Sequence, residues 1–125
     1  MVPLSDKQTT LATLRTIVAQ FVAERDWRQF HTPKNLSMSL AVEAAELMEH
    51  FQWLTPRESR ELADSADKLR EVADEISDVL CYALALANEL EIDVAAAFER
   101  KMAANRKKYP AEEFRGRYGP DDPGR

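Results

Sequence analysis

Residues 69–90 repeat apolar side chains with a period that only an α-helix gathers onto one side. At about 100° per residue, Val72, Ile76, Val79, Ala83, Leu86 and Leu90 fall within about 40° of one direction. A stripe this long has to be covered by other packed elements. The composition makes those elements helices, because three glycines and few aromatics accompany abundant Ala, Leu and Glu. The 125 residues make one domain at the small end of the range, where association that buries more surface adds stability.

The other elements follow from caps and breakers. Ser5 or Asp6 caps a first helix to about Arg25, with Leu11, Leu14, Val18, Phe21 and Val22 on its apolar face. Residues 25–35, RDWRQFHTPKN, hold no helical period and read as an ordered loop. Asn35 or Ser37 caps a second helix over about 36–53. Thr55, Pro56 and Glu58 form a capping box that opens the next, which either runs on or breaks near Ser65, with a long regular stripe from Leu69 to Leu90. A further helix spans about 93–108 from Asp93, and Pro110 stops it. The expectation is an all-α, four-helix domain over 1–110 and a flexible tail over 111–125, rich in Gly, Pro and charge.

The function classes narrow in the same way. No segment approaches the ~18 consecutive apolar residues of a membrane span, and MVPLSDKQ lacks the regions of a signal peptide. Cys81 is the single cysteine, which fits a reducing cytoplasm and excludes a cysteine-built zinc cluster. A net charge of −5 argues against binding a nucleic-acid polymer.

Two pairs of carboxylates stand out. Relative to Leu40 on the second helix, Glu43 lies about 60° and Glu46 about 120° to one side of the apolar stripe. Relative to Val72 on the third, Glu75 and Asp78 take the same offsets, about 60° and 120°. Single i, i+3 acidic pairs are commonly solvated faces, as Glu49 reads here; Glu71 and Asp74 read as outer groups or accidents of an acidic helix. Two pairs at matching phase on helices that pack together converge, and four converging carboxylates repel unless a hard cation such as Mg²⁺ neutralises them. A di-iron bundle needs Glu-x-x-His on two helices, whereas Glu46 follows Glu43 and Asp78 follows Glu75.

On the last helix Val94, Phe98, Lys101, Asn105 and Lys108 share one face, so its apolar stripe turns into a cation and an amide. Lys101 either pairs with the carboxylates or meets a phosphate, and Asn105 adds a neutral hydrogen bond. Trp27, Phe30, His31, Trp53 and Tyr82 are individually ordinary core residues; together they supply flat surfaces for a nucleobase.

In this order, EAAELMEHFQW, EISDVLCYAL and KMAANRKKYP resemble the MazG-like all-α nucleoside triphosphate pyrophosphohydrolases, from about Phe21 to Pro110. The loop WRQFHTPKNL is similar to the dCTP pyrophosphatase branch. The resemblance implies a bundle that assembles as a homo-oligomeric dimer of dimers. It implies Mg²⁺-dependent (or Mn²⁺-dependent) hydrolysis of a dNTP to dNMP and pyrophosphate. It matches Glu43, Glu46, Glu75 and Asp78 to metal ligands and Trp27, His31, Asn35, Trp53 and Tyr82 to base and sugar contacts. Lys101 and Asn105, with Arg106, match phosphate and sugar contacts. Glu46 is the expected base for the attacking water, its phase placing it nearer solvent. The competing readings are a non-catalytic helical assembly protein with an acidic rim, and the same chemistry on dUTP or another nucleotide, modified or damaged ones included.

Overall fold

The computed structural model describes residues 2–118. The described chain is all-α with no strand: α1 (Leu11–Glu24), α2 (Pro33–Glu49), α3 (Pro56–Glu61), α4 (Ala66–Glu89), α5 (Val94–Lys108) and α6 (Ala111–Phe114), with single 3₁₀ turns at Arg28–Phe30 and Leu62–Asp64. The chain divides into two compact units, one ending at Glu91 and one beginning at Ile92. Residues 119–125 of the expected tail lie outside the described residues; the part within them opens with the α6 turn, where Phe114 meets Tyr109 edge-on at 5.3 Å between ring centroids.

Local chemistry sets the boundaries. Thr10, not Ser5 or Asp6, caps α1, accepting from the Thr13 amide. The Ser5 segment instead closes a turn on itself, with the Thr9 amide donating to the Ser5 carbonyl and the Ser5 amide to Thr9 Oγ1. α2 starts earlier than expected, because Thr32 caps it through the Asn35 amide and Pro33 takes the first position. It also stops at Glu49, so Phe51 to Leu54 form turns instead of a last helical turn. The expected Thr55 capping box is present, with Glu58 Oε1 accepting from the Thr55 amide, and hydrogen bonding to the Thr55 side chain first and its amide second holds the Glu58 carboxyl below the usual range. Ser65 caps α4 and Asp93 caps α5. The chain leaves α1 and α4 through left-handed residues, Asp26 (φ 51°) and Glu91 (φ 52°), where glycine would be the usual choice.

In the first unit α4 is the central rod, with α2 packed along it and α1 against it. Val18, Leu36, Leu84 and Ala85 form the core cluster, flanked by Leu11, Leu14, Cys81, Tyr82 and Leu86. Arg15 Nε donates to Asn88 Oδ1 (2.9 Å) and Asn88 Nδ2 to the Arg15 carbonyl (3.1 Å), tying α1 to the end of α4. The stripe read from residues 69–90 is only partly covered: Val72 is buried, but Ile76 and Leu90 are 53% and 50% exposed. Met38, Val42, Met48 and Leu80 are exposed as well, leaving the single chain with much uncovered apolar surface.

Candidate active site

The least exposed positions of α2 are Leu36, Ser39, Leu40, Glu43, Glu46, Leu47 and His50, while Ala44 faces out. At about 100° per residue this sector is centred on Glu43 itself. On α4, Val72, Glu75, Val79, Tyr82 and Leu86 make the corresponding face, with Ile76 turned away. The carboxylates therefore sit closer to the middle of the buried faces than the sequence phase indicated. Glu46 is no nearer solvent than Glu43, and Asp78 is the exposed member of the set.

One carboxylate oxygen each from Glu43, Glu75 and Asp78 lies within 4.8 Å of the other two. Glu46 is not in this triad, but its carboxyl is placed to share a hydrogen bond with Glu43 when one of the two is protonated. That bond, burial, and the charges of Glu46, Asp78 and Glu75, in that order, push the Glu43 carboxyl up to about 7. Glu43 Oε2 and Glu75 Oε2 are buried without a hydrogen-bond partner. Buried acceptors left unpaired among like charges are costly unless a cation joins them, and an all-oxygen donor set suits a hard divalent ion. The residues present thus fit a site for a hard divalent cation, and the described residues offer no other such cluster.

A cavity of about 250 Å³ opens beside the triad, lined by Glu43 and Asp78 together with Trp27, His31, Tyr82, Val18, Phe21, Val22, Cys81 and Ala85. Trp27 meets Phe21 edge-on at 5.7 Å and leans over His31 at 6.4 Å between ring centroids. The Arg25 guanidinium stacks 3.8 Å from the Phe21 ring, bracing that wall. Arg28 in the 3₁₀ turn pairs with Glu89 at 3.4 Å, tying the loop to α4. Burial first, then neighbouring carboxylates, raises both the Cys81 thiol and the Tyr82 hydroxyl, so each stays protonated at neutral pH.

Three of the expected base contacts, Trp27, His31 and Tyr82, thus share one cavity with two of the carboxylates. Asn35 lies in a neighbouring hollow of about 390 Å³ with Met38, Ser39, Val42, Glu43 and Tyr82, where its Nδ2 donates to the Phe30 carbonyl and closes the loop. Trp53 stands 87% exposed in the turn after α2 and lines neither space. Lys101, Asn105 and Arg106 lie on α5 in the second unit; Lys101 and Arg106 are exposed, and Asn105 Nδ2 rests 3.7 Å from Met102 Sδ. Val18, Phe21, Val22, Cys81 and Ala85 were not among the expected site residues. Their helical spacing marks them as apolar face, and nothing local distinguishes a cavity wall from a core.

Fold and site define a class: an all-α protein that gathers acidic side chains from two packed helices beside an aromatic-walled pocket. The chain belongs to the MazG-like family, whose model matches residues 38–118. It is 43% identical over 104 residues to dCTP pyrophosphatase 1 of Homo sapiens, covering 83% of this chain and 61% of that protein. To dCTP pyrophosphatase 1 of Mus musculus it is 41% identical over 109 residues, covering 87% of this chain and 64% of that protein. The chain thus spans about three fifths of the length of these relatives. A crystal structure of a pyrophosphatase from Archaeoglobus fulgidus matches at 38% identity with a TM-score of 0.75, covering 86% of this chain and 99% of that one. No helix among the described residues is long and apolar enough to cross a membrane.

Proposed function

We infer that this chain is a Mg²⁺-dependent nucleoside triphosphate pyrophosphohydrolase that converts a dNTP to dNMP and pyrophosphate, with dCTP or a modified dCTP as substrate and Mn²⁺ as an alternative ion. The observation that carries the reading is the junction of two features: a carboxylate triad with orphaned buried oxygens, and an aromatic cavity that shares Glu43 and Asp78 with it. The names of the relatives, dCTP pyrophosphatase and pyrophosphatase, point to the same chemistry.

Glu43, Glu75 and Asp78 would hold the ion, with Glu46 completing the set. When bound, a divalent cation neutralises triphosphate charge and makes water easier to deprotonate. Trp27, His31 and Tyr82 take the base and sugar, holding the α-phosphorus near the carboxylates. Glu46 accepts the proton of the attacking water at a carboxylate oxygen. Lys101, Asn105 and Arg106 are assigned to the phosphates and sugar, and Trp53 and Asn35 to the nucleoside end. Residues 1–110 form the catalytic domain. The chain works in the cytoplasm as a dimer of dimers; its uncovered apolar residues favour association with further copies.

The test is a panel of dNTPs, including 5-substituted dCTP and dUTP, incubated with purified protein and Mg²⁺. Both monophosphate and pyrophosphate are measured. Equimolar dNMP and pyrophosphate from dCTP-type substrates is the expected result. No turnover of any nucleotide would leave the helical assembly protein as the better reading.

A further inference from the structure

We propose that His50 is a positioning residue that holds the Glu75 carboxylate in its cation-binding pose, backed by Glu71 and Lys68. The inference rests on the metal site proposed above and adds a residue to it. His50 caps the C-terminus of α2, where its half-buried ring lies over α4. Nε2 lies 3.9 Å from Glu75 Oε1, and Nδ1 lies 3.9 Å from Glu71 Oε2. Lys68 Nζ donates to the same Glu71 oxygen at 3.1 Å. Lys68, Glu71 and Glu75 are spaced i, i+3, i+7, so one face of α4 carries the whole series.

The two oxygens of Glu75 are thereby divided. Oε1 is next to the imidazole, and Oε2 is the buried atom with no partner. A carboxylate steered at one oxygen by a neighbouring donor presents the other with less loss of rotamer freedom on binding, which is how outer partners raise a ligand's affinity. At 3.9 Å the ring nitrogens stand beyond direct hydrogen-bond distance, and a small approach when a cation draws in Glu75 closes the Nε2–Oε1 contact; a ring with one proton donates to Glu75 alone, and only a ring protonated on both nitrogens donates to Glu71 as well. The sign of the effect separates positioning from charge. A ring acting only as a nearby cation would repel a metal ion, and its removal would tighten binding; a positioning ring does the reverse.

The test is Mn²⁺ binding to the nucleotide-free full chain, read by the electron paramagnetic resonance of free Mn²⁺. Wild type, Glu75→Gln, His50→Ala, His50→Gln and Glu71→Gln are compared, with circular dichroism confirming helicity. Glu75→Gln is expected to lose the site, and His50→Ala to weaken it about tenfold. His50→Gln, whose amide donates to Glu75, recovers most of that loss. Glu71→Gln weakens binding by a smaller factor in the same direction. Binding by His50→Ala as tight as wild type or tighter, while Glu75→Gln is defective, overturns the role of His50 and leaves the metal site standing. Absence of binding by wild type overturns both. Should His50→Ala not fold, an unchanged affinity in Glu71→Gln, altered at a half-exposed carboxylate, overturns the relay.

Discussion

In the proposed metal site, proton and cation compete for Glu43. Its carboxyl is pushed up to about 7, first by the hydrogen bond with Glu46, then by burial and by the surrounding carboxylates. A cation takes the ionised form only, so below that value each pH unit lowers apparent affinity about tenfold. Between pH 8 and pH 6 the affinity for Mg²⁺ should therefore fall about tenfold, with about one proton released per ion bound at pH 6 and almost none at pH 8. Replacing Glu46 by Gln removes the leading cause and one like charge. Glu43 then returns toward the ordinary carboxylate range, and the pH slope between 6 and 8 should vanish even though the overall affinity drops. Isothermal titration of nucleotide-free protein in buffers of different ionisation enthalpy measures both affinity and proton release. The stability of the metal-free protein follows from the same shift. The raised carboxyl contributes stability that is fully present below about 4.5 and lost as pH rises through about 7, so Tm without metal should fall over that window and Mg²⁺ should reverse the loss. Equal affinity at pH 6 and pH 8 in wild type, without proton release, would refute this reasoning.

Three other predictions test separate parts of the account. Leu36, 1% exposed at the α2–α4 contact, should cost about 2–5 kcal/mol when truncated to Ala, read by chemical denaturation; a loss below about 1 kcal/mol would contradict its place in the core. Trp27→Ala removes a wall of the cavity and should raise KM for the nucleotide about tenfold with little change in kcat, whereas a loss confined to kcat would argue against a stacking role. Ile76→Glu and Leu80→Glu charge two exposed apolar positions one turn apart on α4 and should lower the mass measured by light scattering, an expectation that a monomeric wild type would negate.

The helical class was legible because periodicity, caps and the scarcity of glycine agree. Thr55-Pro56-Arg57-Glu58 is legible as a helix start because Glu58 closes a box, whereas Thr32-Pro33 caps α2 without one and the aromatics before it mask the start. The carboxylate pairs were found, but their depth was not. Apolar patterning assumes that buried means hydrophobic, and at this seam Glu43 and Glu75 occupy the covered faces while Ile76 and Ala44 point outward. The cavity depends on Val18 of α1 meeting Ala85 of α4, a pairing with no local signature. His50 carries no signal of its own, and Glu71 reads no more sharply than as an outer group of an acidic helix, because their link to Glu75 exists only once α2 ends beside α4.

The central claim is that acidic groups of α2 and α4 share one cation. Anomalous diffraction at the manganese edge, from crystals grown with Mn²⁺, tests it most directly. The account predicts a peak bonded to oxygens of Glu43, Glu75 and Asp78, about 2.0–2.3 Å away. Those three side chains splayed into solvent, with manganese bound elsewhere or nowhere, would contradict it.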